Sequence, residues 1–481
     1  MQIGTSQRVG AMPAIIREGI LRRRHAMDDP AFRNCVKNGI NASAALAALG
    51  AVPGRLTLPD PSDPIILTGR VALPANGLWL DGGYSLFNLN AANAGLDFTG
   101  IDAGISYCKL QGSQTVLPTA GAAITFTGNQ KAFAEKLRME KVFNGISCST
   151  LSEVILDNIH MRDLHGTDGI KHSGATMNTG VFGARMSQIT GDCFYPQANP
   201  TSANWKGARV SSTSYSLGDI YTDGNCIYQV VIAGTSASGG GPNGSHGTVN
   251  SRLIVDGTAT VQFMCSLSLS WILADSFAST ISVHGAALMN GAYGVRVIDT
   301  VASGSSYPSW ITLTEVEVDH SAIAGADVSA GRYFAAVGRS WFGSCLSGNG
   351  VQIGTAYKGG GEISNSEVAG NAQHGILLNQ ANGMRVLSCD IGSNGTAANN
   401  TYNNITVGAG VCGFGIDYCN FLPDIPNATQ PAARPIVIAA GASDAYQIGG
   451  GNLAKGHATA NTVSDGGSGS AKSVTQPRVV P

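Results

Sequence analysis

Between Trp341 and Phe421 the apolar positions come in runs of two or three residues, and Gly or Asn follows each run within a few positions. Val351-Gln352-Ile353, Ile376-Leu377-Leu378, Val386-Leu387 and Ile405-Thr406-Val407 are too short for amphipathic helices and read as strands. The pairs Gly348-Asn349, Gly370-Asn371 and Ser393-Asn394 recur at steps of 22 and 23 residues. Gly and Asn tolerate positive φ, so a chain that keeps turning through them can stack each returning strand on that of the previous coil. The pattern predicts an all-β parallel β-helix. One coil cannot bury its own apolar face, so the stack as a whole supplies the core.

The first 50 residues follow a different rule. Ala14 to Met27 places Ile15, Ile16, Ile20 and Leu21 beside Arg22, Arg23 and Arg24, the pattern of a basic amphipathic helix. A second helix fits Asn41 to Leu49, with Asn41 as N-cap and Gly50 as its stop. Strands then fit Arg55 to Leu58, Ile65 to Leu67, Arg70 to Leu73 and Leu78 to Leu80, separated by Pro, Asp and Gly turns. An Ala-rich helix ending in Gly, two strands each ending in Leu-Pro and a third entering Asp-Gly-Gly resemble the opening segment of pectate-lyase-like β-helices, which is common in bacteriophage tailspikes. With the coils downstream, the resemblance covers residues 40 to 460. It implies a right-handed helix and a homotrimer. It also implies an N-terminal part that attaches to a phage tail or baseplate protein in the virion, and sides that hold a bacterial surface polysaccharide. The expected division is a helical attachment or cap segment at 1–50, the β-helix at 51–433, and a last coil with the C-terminal tail at 434–481. Coils are also expected from Val154 to Ile170 and from Tyr228 to Val301, with Gly234 to Val249 as a protruding loop.

Composition narrows the partners. Charged residues are 12% of the chain, about half the usual share, and the net charge of -2 offers no argument for nucleic acid. The 64 glycines follow no G-X-Y period, which excludes collagen. Ten cysteines stand singly, without CxxC pairs or zinc-ligand spacing, and read as reduced and structural. No 18-residue apolar run and no signal-peptide pattern occur, so no membrane insertion is expected and synthesis is expected in a cytoplasm, which the tailspike resemblance implies is that of a bacterial host. No motif calls for a cofactor or a metal.

Three stretches carry candidate chemistry. In Tyr307 to Ser321, strand alternation turns Val316 and Val318 inward and lines up Glu315, Glu317 and Asp319 outside, neighbours about 6.6 Å apart at Cα. Carboxyl pairs that cleave glycosides stand about 5–5.5 Å apart when retaining and about 6.5–9.5 Å when inverting, so these three are the first catalytic candidates. Trp310 and Tyr307 would stack on sugar faces. In Leu156 to Gly174, Asp163 and Asp168 form a second pair. Gly166-Thr167-Asp168-Gly169 is similar to the Thr-Asp-Gly of polygalacturonases, in which that aspartate is catalytic, but the family's Asp-Asp, Gly-His-Gly and Arg-Ile-Lys motifs have no counterpart. In Trp205 to Cys226, Trp205 and Tyr221 are further substrate-binding candidates, while Asp219 and Asp223 are expected to satisfy turn amides. Two functions fit: a polysaccharide depolymerase, hydrolase before lyase, or a non-enzymatic virion spike that only binds glycan.

Overall fold

The short apolar runs do return as stacked strands. The computed structural model describes residues 23–112, 116, 119–128, 131–188, 201–247, 253–302, 306–423, 430–441, 445–469 and 471–480. Contacts divide the chain into two compact units, one of Met1–Gly166 with Ile170–Arg185, the other of Thr167–Gly169 with Met186–Pro481. Both wind as a parallel β-helix.

In the first unit, Gly54–Thr57, Leu78–Leu89, Ala103–Gly112, Lys131–Glu140 and Glu153–Arg162 pair in parallel, each with the next. A second ladder joins Arg70–Leu73, Gly95–Phe98, Ala122–Thr127, Asn144–Ser149 and residues 170 to 173. Register puts like on like. Leu96, Ile124, Ile146 and Ile170 form one buried inward row, and Phe98, Phe126, Cys148 and His172 form another. The helices Pro30–Lys37 and Ser43–Gly50 bury Phe32, Val36 and Leu46 at the first coils. A Cβ at Gly50 would stand 2.2 Å from Leu73 Cδ2, so a larger residue there would have to displace the buried Leu73 side chain.

The N-terminal expectation needs correction. Residues 14 to 22 of the basic helix lie outside the described residues, but Arg23–His25 is a strand paired with Gly54–Thr57, not a helix. Asn41 also misses the N-cap by one position, which Ala42 holds, and instead accepts bonds from the Ser43 amide and hydroxyl.

In the second unit each coil passes through three ladders. The first stacks Ser270–Ala274, Tyr293–Val297, Ala324–Gly331, Val351–Tyr357, Ile376–Leu378, Ile405–Val407 and Ile436–Ile438. The second stacks Ser279–His284, Ser309–Thr314, Phe334–Val337, Gly361–Ser364, Met384–Leu387, Gly415–Asp417, Tyr446–Ile448 and Lys472–Val474. The third stacks Ala287–Met289, Glu317–Asp319, Trp341–Gly343, Glu367–Ala369, Asp390–Gly392, Asn420–Phe421 and Leu453–Ala454.

Between the second and third ladders the chain turns a short corner. Its left-handed residue is Gly285, Glu315, Arg339, Asn365, Ser388 or Tyr418 on successive coils, with φ from 47° to 65°. The residue after it is buried: Ala286, Val316, Ser340, Ser366, Cys389 or Cys419. Left-handed backbone costs a non-glycine residue about 1–2 kcal/mol. Amide bonds to the next coil offset that cost, among them Glu315 to the Val337 carbonyl and Asn365 to that of Leu387. After the third ladder a buried amide ladder ties the coils. Asn371 Oδ1 accepts from the Cys345 amide, Asn394 Oδ1 accepts from Asn371 Nδ2 at 2.9 Å, and Asn394 Nδ2 donates to Asn404 Oδ1 at 3.0 Å.

The described residues from Trp205 to Ser266 do not belong to the coils, contrary to the first part of the coils expected from Tyr228 to Val301. Trp205–Ala208, Ile220–Asp223, Cys226–Ile232, Ala259–Ser266 and Leu253–Asp256 form a separate five-stranded sheet whose last three pairings are antiparallel. Nor does the described part of the Gly234–Val249 stretch simply protrude. Tyr228 donates to the Ser245 carbonyl, and His246 lies 4.5 Å from the Phe263 ring.

Candidate functional site

The corner decides which candidate carboxylates share a face. Glu315 is the left-handed corner residue, so the segment expected as one strand is two, Ser309–Thr314 and Glu317–Asp319, on different ladders. The three acids therefore do not form one line. Glu315 is exposed at the corner, its Oε2 3.6 Å from His284 Nε2. Glu317 and Asp319 do share an outer face, with Val318 buried between them, as alternation requires. Asp319 is the more enclosed, and its Oδ2 meets His320 Nδ1 at 2.7 Å. Burial alone would raise its pKa, but His320, helped by the Ser344 hydroxyl and the Trp341 indole, holds it below the usual carboxylate range.

Reading across the coils instead of along the strand reveals a second arrangement. The outward position of the third ladder runs Ala287, Glu317, Trp341, Glu367, Asp390, Asn420 and Leu453. Glu317, Glu367 and Asp390 are exposed. Trp341 lies flat over Gly343, where a Cβ would meet the indole at 2.4 Å. Strands stand about 4.8 Å apart, so Glu367 and Asp390 sit near the spacing of a retaining pair, and Glu317 and Glu367 about 9.6 Å apart near that of an inverting pair. Asn420 Nδ2 donates to Asp390 Oδ1 at 2.7 Å and fixes the orientation of that carboxylate. Glu367 and Asp390 escaped the sequence reading, which followed alternation within one strand. The signal was present in their 23-residue separation, the same step that relates Gly370-Asn371 to Ser393-Asn394.

The other expected residues are placed differently. Trp310 is 59% exposed at the start of its strand, its ring 4.8 Å from that of Tyr333. Tyr307 and Trp205 are half-buried. Tyr221, expected to contact substrate, is fully buried and cannot. Alternation turns it into a cluster with Tyr215, Tyr228 and Phe263, where its hydroxyl donates to Asp256 at 2.7 Å. Asp163 and Asp168 are 3% and 9% exposed, so neither carboxyl is presented to a polymer in solution. Asp219 and Asp223 accept from the Ser216 and Asn243 amides. Among the described residues no group of three or more His, Cys, Asp or Glu is arranged to hold a metal, and no helix is long and apolar enough to cross a membrane. The nine described cysteines are all free of disulfides.

The sequence matches no protein-family model and no curated protein. Solved structures are similar in fold. They include the Dettilon tailspike protein, at 11% identity and TM-score 0.45, covering 95% of this chain and 68% of that one. The A-module of an Azotobacter vinelandii mannuronan C-5 epimerase is 10% identical with TM-score 0.49, covering 95% and 99%. A mutant tailspike protein of E. coli bacteriophage HK620, in complex with a pentasaccharide, is 10% identical with TM-score 0.47, covering 95% and 80%. The likeness is one of fold.

Proposed function

We propose that this chain is a glycan-binding β-helix, a phage tailspike that recognises a bacterial surface polysaccharide and hydrolyses it. The observation that carries the reading is the outward row Glu317, Trp341, Glu367, Asp390 and Asn420, which offers carboxylates at glycosidase spacing beside an indole on which a sugar can stack. In this reading Asp390, supported by Asn420, is the nucleophile, and Glu367, with the indole on its other side, is the proton donor. Asp319 is held ionised by His320 and so serves as an electrostatic support, not as an acid. Three copies packed side by side and an N-terminal virion attachment belong to the same proposal.

The test is to incubate the purified protein with capsular polysaccharide and follow reducing ends. Glu367→Gln and Asp390→Asn should each lower turnover by at least about 100-fold while glycan binding persists, because the chemistry is lost and the surface is not. Full turnover in both variants would remove this pair and return attention to Glu317 and Asp319, which share one outer face. Light scattering should give about three times the 49.3 kDa chain mass. A second reading, binding without cleavage, is favoured by the exposed Trp310 ring and the half-buried Tyr333 beside it, which stand on a different ladder from the carboxylate row. A wild-type protein that binds glycan and releases no reducing ends would establish it.

A further inference from the structure

On the other side of the corner, the second ladder presents an outer face of different character. At its leading edge the Trp310 and Tyr333 rings meet at 4.8 Å, tilted by 32°, and register carries the same position on through Gly360, Gly383 and Gly413. Three glycines in a row leave a lane without side chains. Gly383 and Gly413 have φ of 77° and 65°, and a Cβ on Gly383 would meet the Gly360 backbone at 3.4 Å, so the lane stays open for conformational reasons as well. The lane ends beside a groove of about 540 Å³ that crosses the strands of Arg385, Gly415, Gln447 and Ser473.

The groove exists because of one missing side chain. Arg385, Gly415, Gln447 and Ser473 occupy the same outward position on successive coils, so Gly415 leaves a gap about two strand spacings wide, or about 9.6 Å, between a guanidinium and an amide. Arg385 is exposed and forms no ion pair among the described residues. Glu362, its neighbour on the previous coil, does not line the groove. Lys472 closes the far end, already paired with Asp465 at 2.9 Å. Asp417 flanks the groove, its Oδ1 occupied by the Tyr418 and Gly451 amides. Lys472 is thus already neutralised, and Arg385 is the cation of the lining that has no carboxylate paired with it among the described residues, with amide and hydroxyl groups beyond it.

We infer that this face is a track for an acidic oligosaccharide, whose neutral units lie on the aromatic and glycine lane and whose carboxylate-bearing unit enters the groove against Arg385. A guanidinium meets a carboxylate through two parallel N–H donors, and it is weakly hydrated, which suits it to a partly enclosed site. Gln447 and Ser473 supply partners for sugar hydroxyls. From Trp310 to Gly413 the lane spans four coil spacings, about 19 Å, enough for several sugar units. The inference rests on the glycan-binding reading and narrows its substrate class to polymers that carry uronate-like sugars.

Calorimetric titration of the full chain with tri-galacturonate, and with maltotriose as the neutral control, tests the track. The uronate should bind at least tenfold more tightly. Arg385→Gln should abolish that preference and leave maltotriose binding unchanged, whereas Arg385→Lys should restore part of it. Gly415→Leu should weaken both sugars by filling the gap. A Cβ there meets nothing closer than the Gln447 carbonyl at 4.0 Å, so the coil can still form. Equal affinity for the two sugars, or a preference that survives Arg385→Gln, overturns the inference. If the uronate fails to bind while polysaccharide is still cut, the track alone is lost. If the uronate binds and no polysaccharide is cut, the hydrolase reading alone is lost.

Discussion

Removing the side chain of Asn394 should be among the most costly polar truncations in the second unit. Its Oδ1 accepts from the Asn371 amide at 3.2 Å and from Asn371 Nδ2 at 2.9 Å, and its Nδ2 donates to the Val368 carbonyl at 2.9 Å and to Asn404 Oδ1 at 3.0 Å. All of this lies in a site closed to water, since Asn371, Asn394 and Asn404 are each 0% exposed. Asn371 Nδ2 keeps a second partner, the Phe342 carbonyl, but the Asn371 amide loses the side-chain acceptor it has here. A buried polar group left unsatisfied costs about 1–3 kcal/mol, so two or three such groups put Asn394→Ala at about 3–5 kcal/mol. Asn349 is the control. It accepts from the His374 amide and donates to the half-buried Gln352, where water can replace the lost partner, and Asn349→Ala should cost about 1 kcal/mol. Guanidinium unfolding followed by circular dichroism compares the two. A loss under about 1 kcal/mol for Asn394→Ala, or equal losses at both sites, would refute the reasoning.

Three further outcomes follow from buried polar groups. Asp319, with its folded pKa depressed, contributes stability that is present above the unfolded value of about 3.9 and lost as pH falls through the lower folded value, so Asp319→Asn should flatten the acid limb of a melting-temperature profile. His172 has both ring nitrogens buried without hydrogen-bond partners, and burial pushes its pKa down to about 3. Its neutral form is the one the fold accepts, so stability should fall as pH drops below about 6.5 toward that value, and His172→Leu should remove this part of the acid sensitivity in the same profile. Tyr221→Phe removes the hydroxyl bond to Asp256 but leaves that carboxylate held by Arg209 at 2.7 Å, so hydrogen exchange in the inserted sheet should speed up by the equivalent of about 1–2 kcal/mol.

The coils were legible in the sequence wherever Gly or Asn marks a turn. Val351–Tyr357, Ile376–Leu378, Met384–Leu387 and Ile405–Val407 all stack as the apolar runs predict. The repeat was only partly in register. Gly370-Asn371 and Ser393-Asn394 occupy one corner and share the amide ladder, whereas the residue stacked on Asn371 in the preceding coil is Cys345, and Asn349 sits beside His374. The corner at Glu315 left no mark, because its left-handed position holds Glu, Arg, Asn, Ser and Tyr on successive coils and is held by bonds to the next coil rather than by residue type. The inserted sheet was misread for a related reason, since Cys226–Ile232 and Leu253–Asp256 have the composition of coil strands and differ only in the direction of their partners. Trp310 was named for its place beside the three acids, and it is exposed. Glu367 and Asp390 were not, because their proximity exists only across coils.

The corner keeps nearly constant length while the other connections between ladders vary from two to 14 residues. Its consequence is modularity. A coil can be copied or removed as a whole without disturbing how the faces beside the corner line up on their neighbours, provided that its ends are joined at the tolerant connections. Each duplicated coil would lengthen both outer faces together by about 4.8 Å, so the reach of this surface along a polymer is adjustable in whole steps.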